Sequence, residues 1–275
     1  MTTRRSFLAA AAASAATPSL FAKSAKMPFK LGVATYSMRK LSRADAIETV
    51  KKLGLQYVSV KEFHLKYTST PGEILAARKE FAAAGLKILS GGNISLSDKD
   101  DAKLRKMFEY AKACGMPTIV CAPTHETLPM VHKLAKEFKI KLAIHNHGPE
   151  DKHFPSPQSV LEAIKGMDPL MGLCIDIGHT ARAGVDVVES IKLAGSRLHD
   201  MHFKDLKDFK GPQARESQCI VGEGIMPIRE IFTQLRAMNY KGGCMLEYEI
   251  DADNPAPGMA KSFENMRKII DSLAS

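Results

Sequence analysis

Polar residues able to hold a metal or move a proton recur at the ends of short apolar runs: His145 and His147, Asp176 and His179, His202 and Asp205, Glu247 and Glu249. Two carboxylates and an imidazole from three successive runs (Asp176, His202, Glu247) suit a hard or borderline divalent ion such as Mn²⁺, Co²⁺, Zn²⁺ or Mg²⁺. An imidazole from the preceding run makes a fourth ligand; His145 takes that place, with His147 as the alternative. Four ligands on rigid elements leave positions open for substrate oxygens. A cation held there would act as a Lewis acid on a bound oxygen where negative charge develops. Any one of these residues alone is more often a hydrogen-bonded strand-end group, so it is their common phase that points to chemistry.

Eight alternations of a β-like run with a 3.6-period segment supply that phase. The β-like runs are 30–37, 57–63, 86–90, 118–122, 140–146, 172–177, 198–204 and 243–250. Helical segments follow each of them: Ser42 caps the first, which stops at Gly54, and the last covers about 259–273. Side chains alternate along a strand, so His145 and His147 share a face with Ala143, and Asp176 shares one with Cys174. Asp200, His202 and Lys204 form a third such set, and Met245, Glu247 and Glu249 a fourth. The series predicts the α/β class, a single (β/α)8 TIM barrel over residues 28–275, with the polar residues on its C-terminal rim. The widest connection, from Asp205 to about Met226, exceeds the usual βα loop and is placed to shape or cover a pocket.

The chain opens Met1-Thr2-Thr3-Arg4-Arg5-Ser6-Phe7-Leu8, followed by an alanine-rich stretch to about Leu20. An arginine pair before a segment too short and weakly apolar for a membrane span reads as a twin-arginine signal over 1–24, hence a periplasmic or otherwise exported protein with no stable membrane span after cleavage. Losing Arg4, Arg5 and Lys23 but no acid brings the formal charge from +9 to +6. No basic block with interleaved aromatics is present, so nucleic acid is not expected as a partner. The five cysteines form no Cys-x-x-Cys pair, and Cys121, Cys174 and Cys244 sit inside apolar runs, as small buried thiols do. Oligomeric state does not follow from these features.

With Cys174-Ile-Asp-Ile-Gly-His179, His202-Phe-Lys-Asp205 and Gly243-Cys-Met-Leu-Glu247 in view, the chain resembles the xylose isomerase-like TIM barrels, the sugar phosphate isomerase/epimerase superfamily, over essentially all of the region after the signal. The resemblance implies that Asp176, His202 and Glu247 bind a divalent metal, that His179 and Asp205 serve the substrate end of the site, and that the reaction moves a proton next to a sugar carbonyl. Two positions depart from the family pattern. His145-Asn146-His147-Gly148 stands where a Glu-Asn-His-Gly run is usual, and Ser59 lies near the position where strand two often carries Glu. His145 can bind a metal but cannot be the second carboxylate base of a two-glutamate epimerase.

The catalytic candidates are therefore Glu247, both ligand and base, with Lys61 as an acid/base and His179 as a proton-handling group; His64, His147, Lys204 and Asp205 are candidate substrate contacts. An exported member with one altered base position is also similar to enzymes acting on 3-keto-glycosides, in which the C2 proton is removed and the C1 substituent leaves. That elimination needs only one base, one acid and a metal. Isomerase or epimerase action on a keto sugar is the first expectation and a 3-keto-glycoside lyase the second. A noncatalytic sugar-binding protein is a third reading. An abasic-site endonuclease on a related barrel is disfavoured by the export signal. The export signal favours an oligosaccharide or glycoside over a phosphorylated cytoplasmic sugar, and no Gly-rich phosphate cradle is evident.

Overall fold

The computed structural model describes residues 27–210 and 216–274. The twin-arginine segment lies outside the described residues. Eight parallel strands close into a barrel in the order β1 (Lys30–Ala34), β10 (Gly243–Leu246), β7 (Leu198–Phe203), β6 (Met171–Asp176), β5 (Lys141–His145), β4 (Thr118–Pro123), β3 (Lys87–Leu96) and β2 (Tyr57–Val60). The expected (β/α)8 fold is thus the observed one. The remaining two strands, β8 (Asp205–Leu206) and β9 (Gln218–Cys219), form a small antiparallel ladder inside the long connection after β7.

Local chemistry explains where the outer helices begin. Ser42 caps α1 (Arg43–Lys52) by accepting from the Asp45 amide. Thr70 and Glu73 form a reciprocal capping box at α2 (Pro71–Ala83), with proline in the first turn, where its missing N–H costs nothing. Asp100 caps α3 (Asp101–Ala113), and Ser156 precedes Pro157 at the start of α5 (Pro157–Ala163). The helices α4 (Leu128–Phe138) and α8 (Ile228–Ala237) each bury one apolar stripe against the barrel, including Val131, Leu134, Ile231 and Leu235. Two helices follow β6: α6 (Ile177–Arg182), capped by Asp176 itself, and α7 (Val187–Ala194). The chain ends in α9 (Ala256–Ala274). All five cysteines are buried and unpaired, Cys121, Cys174 and Cys244 as their apolar settings predicted. Among the described residues no helix is long and apolar enough to cross a membrane.

Inside the barrel, small side chains leave room for polar ones. Val120, Ala143 and Cys174 make a compact floor beneath the mouth. Parallel registry aligns His145 with Cys174, and Asp176 with His202 and then Met245, so side chains of one parity rise together toward the C-terminal rim. Deeper in the same interior lies Asp200, nearly inaccessible to solvent, its carboxylate in contact with the Ser90 hydroxyl and accepting from the Met201 amide at 2.9 Å. Burial pushes its pKa up to about 6, against the opposing pull of His202 and these hydrogen bonds.

A carboxyl raised in the folded state holds its proton where the unfolded chain has already lost it. Between about pH 4 and pH 6 the folded form then binds more protons, so this group's contribution to stability falls as pH rises. Asp200→Asn should remove that dependence. The stability of the variant relative to wild type is expected to grow by about 3 kcal/mol between those limits and to be flat above them, as read by denaturant titrations across pH.

Candidate metal centre and active site

Four buried or nearly buried side chains at the tips of β5, β6, β7 and β10 converge: single ligand atoms of His145, Asp176, His202 and Glu247 all lie within 4.8 Å of one another. His145 Nε2 is 3.0 Å from His202 Nδ1 and 3.5 Å from Asp176 Oδ2, and His202 Nδ1 is 3.3 Å from Glu247 Oε1. Two imidazole nitrogens and two carboxylate oxygens on rigid strand ends are the donor set a borderline divalent ion takes. The outward nitrogens, His145 Nδ1 and His202 Nε2, are buried without a hydrogen-bond partner, so the inner nitrogens carry the only polar contacts either ring makes. The residues fit a single cation. Of the two strand-five histidines, His145 joins this set and His147 does not.

Glu247 reaches the centre although β10 ends earlier than the predicted run, at Leu246. Its amide still donates to Phe203 O at 2.9 Å, and beyond it side chains replace the ladder. Ser37 Oγ donates to Leu246 O at 3.1 Å and accepts from the Tyr248 amide at 2.8 Å. On the other flank Gln218 donates to Glu247 O at 2.8 Å and accepts from the Glu249 amide at 2.7 Å. Glu247 and Glu249 consequently keep strand-like alternation outside a strand, and both face the mouth.

Lys204 is buried among the acids. Its Nζ is 3.0 Å from Asp176 Oδ2, 2.9 Å from Glu247 Oε2 and 2.5 Å from Glu249 Oε1. Burial alone would push this amine down, but the three carboxylates outweigh it and raise its pKa well above the ordinary value. Reciprocally, burial pushes Asp176 and Glu247 up, and the imidazole and ammonium groups facing them overcome it: His179 and Lys204 for Asp176, His202 and Lys204 for Glu247, so both stay well below the usual carboxylate range. His145 is pushed down by burial and by His147, whereas His202 is held up by Glu247 against its own burial. The ammonium expected to touch substrate is thus first of all the counter-ion of two candidate metal ligands.

A cavity of about 250 Å³ opens above this centre, lined by Tyr36, Lys61, Asn93, His147, His179 and Arg182 together with His145, Lys204, Gln218, Glu247 and Glu249. Lys61 faces it but is engaged, donating to Asn93 O at 2.7 Å and pairing with Glu62 at 3.2 Å. His147 is held by Asp151 at Nδ1 (3.2 Å) and by the Asn93 amide at Nε2 (2.8 Å). Burial pushes His179 down to about 4, helped by Lys204 and against the pull of Asp176.

Two expected substrate contacts are placed elsewhere. The His64 ring lies outside the cavity, buried against the Met38 and Leu41 backbone in the turn that follows β1, and burial lowers its pKa against the pull of those carbonyls. The apolar run 57–63 predicts a longer strand, but β2 stops at Val60 and the next turn carries His64 away from the mouth. Asp205 is fully buried and clamps the long connection: Oδ1 accepts from Leu206 and Met226 amides at 2.9 and 3.0 Å, Oδ2 from Gly222 and Gly224 at 2.8 and 3.1 Å. Four N–H donors leave this carboxylate no capacity for a substrate.

Tyr36, Asn93, Arg182 and Gln218 were not foreseen. Asn93 reaches the mouth through a register break in β3, where Gly92 has φ 141 and any Cβ would collide with the Val120 carbonyl. The Gly91-Gly92 pair was its one visible signal. Arg182 follows His179 by three residues, a spacing that places both on one helix face. Gln218 carries no local signal, since β9 exists only by pairing with β8.

The fold and this centre together define a (β/α)8 barrel with a candidate metal site at its C-terminal mouth. Residues 47–269 match the family model described as "Xylose isomerase-like TIM barrel", and the chain belongs to that family. The inosose dehydratase of Mesomycoplasma hyopneumoniae is 28% identical over 158 residues, covering 52% of this chain and 50% of that protein. The chain thus spans about half the length of the curated relatives it matches. A crystal structure of an uncharacterised protein from Parabacteroides distasonis aligns with a TM-score of 0.68 at 26% identity, over 88% of this chain and 99% of that one. The 3-keto-D-glucoside 4-epimerase of E. coli aligns with the same TM-score at 15% identity, over 87% of this chain and 99% of its own, a likeness of fold.

Two substitutions check the roles of the buried charges. Lys204→Met should destabilise chelator-treated protein by about 3–5 kcal/mol, because it strands buried carboxylates, and adding Zn²⁺ should recover most of the loss; thermal melts with and without metal would show it. Asp205→Ala should cost about 3 kcal/mol and expose the 206–226 connection to protease while leaving metal stoichiometry unchanged.

Proposed function

We propose that the protein is a divalent-metal-dependent enzyme that removes a proton alpha to the carbonyl of a neutral keto sugar. The observation that carries this reading is the convergence of His145, Asp176, His202 and Glu247 beneath a polar cavity on the catalytic rim of the barrel. A divalent cation held by those four residues would act as a Lewis acid toward the sugar carbonyl. The chain's own groups do the rest. Glu247 is the carboxylate of the metal set that lines the cavity and would take the proton; its Oε2 must exchange the Lys204 ammonium for it. His179 and His147 present ring nitrogens to substrate oxygens, and Lys61 lines the same cavity.

A neutral substrate is supported by the pairing of the cavity cations. Lys61 is matched by Glu62, Arg182 by Glu150 and Lys204 by three carboxylates, so among the described residues lining the cavity no cation is spare for a phosphate. The Arg4-Arg5 start supports export through the twin-arginine route as part of the same proposal.

Isomerisation or epimerisation is the default outcome for such a site. One observation favours elimination as a second reading: the strand-five ligand is His145, so only one carboxylate in the metal set could serve as a base next to the substrate carbon. A 3-keto-glycoside 1,2-lyase needs no second base on the opposite face. The name inosose dehydratase borne by the partial relative supports the same direction, since loss of water beside a carbonyl also starts with alpha-proton removal.

Metal-loaded protein incubated in D₂O with a panel of keto sugars and 3-keto-glycosides, followed by NMR, should place deuterium on the carbon next to the carbonyl. Released aglycone would assign the lyase, and deuterated isomer or epimer the isomerase. Glu247→Gln is expected to lower exchange at least about 100-fold with the fold intact. Undiminished exchange in that variant would remove Glu247 from the chemistry, and no exchange with any substrate would sink the enzymatic reading.

A further inference from the structure

His179 and Arg182 occupy one face of α6, and their contact has a definite polarity. Arg182 Nη1 lies 3.0 Å from His179 Nδ1. A guanidinium has only N–H donors and keeps its charge, so the ring nitrogen it faces must offer a lone pair. The ring proton is then on Nε2. That nitrogen points the other way, to within 4.0 Å of Asp176 Oδ2 beside the candidate metal ligands, on the wall of the cavity.

Arg182 has little freedom to do otherwise. Its side chain is 5% exposed, and Nη2 contacts Glu150 Oε1 on the loop after β5. Gly148 of the same loop approaches so closely, at φ 86, that a Cβ there would stand 3.2 Å from Nη1. The His179 backbone is fixed too, its amide donating to Asp176 Oδ1 at 2.8 Å. A proton on Nδ1 would set an N–H against the guanidinium, so the contact selects against the opposite tautomer.

We propose that Arg182, anchored by Glu150, is a positioning residue that fixes the ring orientation and tautomer of His179, with Nδ1 accepting from the guanidinium and the proton on Nε2, so that His179 meets the substrate as a hydrogen-bond donor. In the keto-sugar reading, on which this role rests, the Nε2–H faces the substrate oxygen that gains negative charge, where a preset donor contributes most. It also separates the duties of the two cavity histidines. His147 has its Nδ1 on the Asp151 carboxylate and so carries its proton there, leaving Nε2 to accept, as it does from the Asn93 amide.

The tautomer can be read without turnover. Long-range ¹H–¹⁵N spectra of the full chain, labelled with ¹⁵N-histidine and loaded with diamagnetic Zn²⁺, would resolve it, with His179→Asn providing the assignment. Wild type should show His179 protonated on Nε2 alone. Arg182→Met should shift the ring to a mixture with the Nδ1–H form, and Arg182→Lys should restore it. Should Arg182→Met fail to fold, Glu150→Ala, which removes only the exposed anchor, is expected to give a partial shift in the same direction. An Nδ1–H form or an imidazolium in wild type, or an unshifted His179 in both folded variants, would overturn the proposal. On a substrate found by the exchange assay, Arg182→Met should lower kcat about 10–100-fold with KM little changed; a loss in KM alone would contradict the positioning role. An Nε2–H His179 in a protein that exchanges no keto sugar would confirm the lock and defeat the enzymatic reading instead.

Discussion

Collecting carboxylates and imidazoles, largely buried, at one barrel mouth is the constraint around which the molecule is arranged. Each of Asp176 and Glu247 would be expensive to bury alone, and the ammonium of Lys204, 3.0 and 2.9 Å away, offsets that cost by facing both. The ammonium in turn depends on them, being buried to the same degree. Removing any member strands the others, so the group behaves as one unit. The same arrangement leaves the inner nitrogens of His145 and His202 and one oxygen of each acid directed at a common point, which is what a divalent cation requires.

Precision at that point comes from interactions outside the barrel ladder. The segment carrying Glu247 and Glu249 runs past the end of β10, and Ser37 and Gln218 substitute for the missing neighbours by bonding its amides and carbonyls from both sides. Gln218 is itself positioned by the short ladder between β8 and β9, and the segment after β9 is tied back to β8 by Asp205, which accepts from the Leu206, Gly222, Gly224 and Met226 amides. A residue first taken for a substrate contact thereby acts two steps away from the pocket. Arg182 and Asp151 serve in a related manner, orienting His179 and His147 from behind so that the two rings present opposite hydrogen-bonding character to the cavity.

Membership of the xylose isomerase-like barrels accounts for the scaffold and for the location of the centre, while the identity of the reaction depends on individual side chains. His145 in the strand-five position keeps a metal-binding donor but withholds a carboxylate base. Pairing of Lys61, Arg182 and Lys204 with acids favours a neutral polyol over an anion. These local features, rather than the shared fold, are what incline the proposal toward sugar chemistry with a single carboxylate base.

The barrel was legible because its periods are local: a strand inverts its side chains at each residue, a helix repeats every 3.6, and caps such as Ser42 and Thr70 announce themselves within four residues. The same parity was enough to put Asp176, His202 and Glu247 on one rim, and His145 with them. Sequence could not choose between His145 and His147, because both have the right parity and only the height of the strand tip, set by registry with Cys174, separates them. Nor could it show that His64 turns away, that Asp205 is consumed by backbone amides, or that Asn93, Arg182 and Gln218 enter the pocket. Those outcomes depend on where strands stop, where β3 slips its register and which distant loops return to the mouth. Such contacts join residues tens of positions apart, and no local periodicity encodes them.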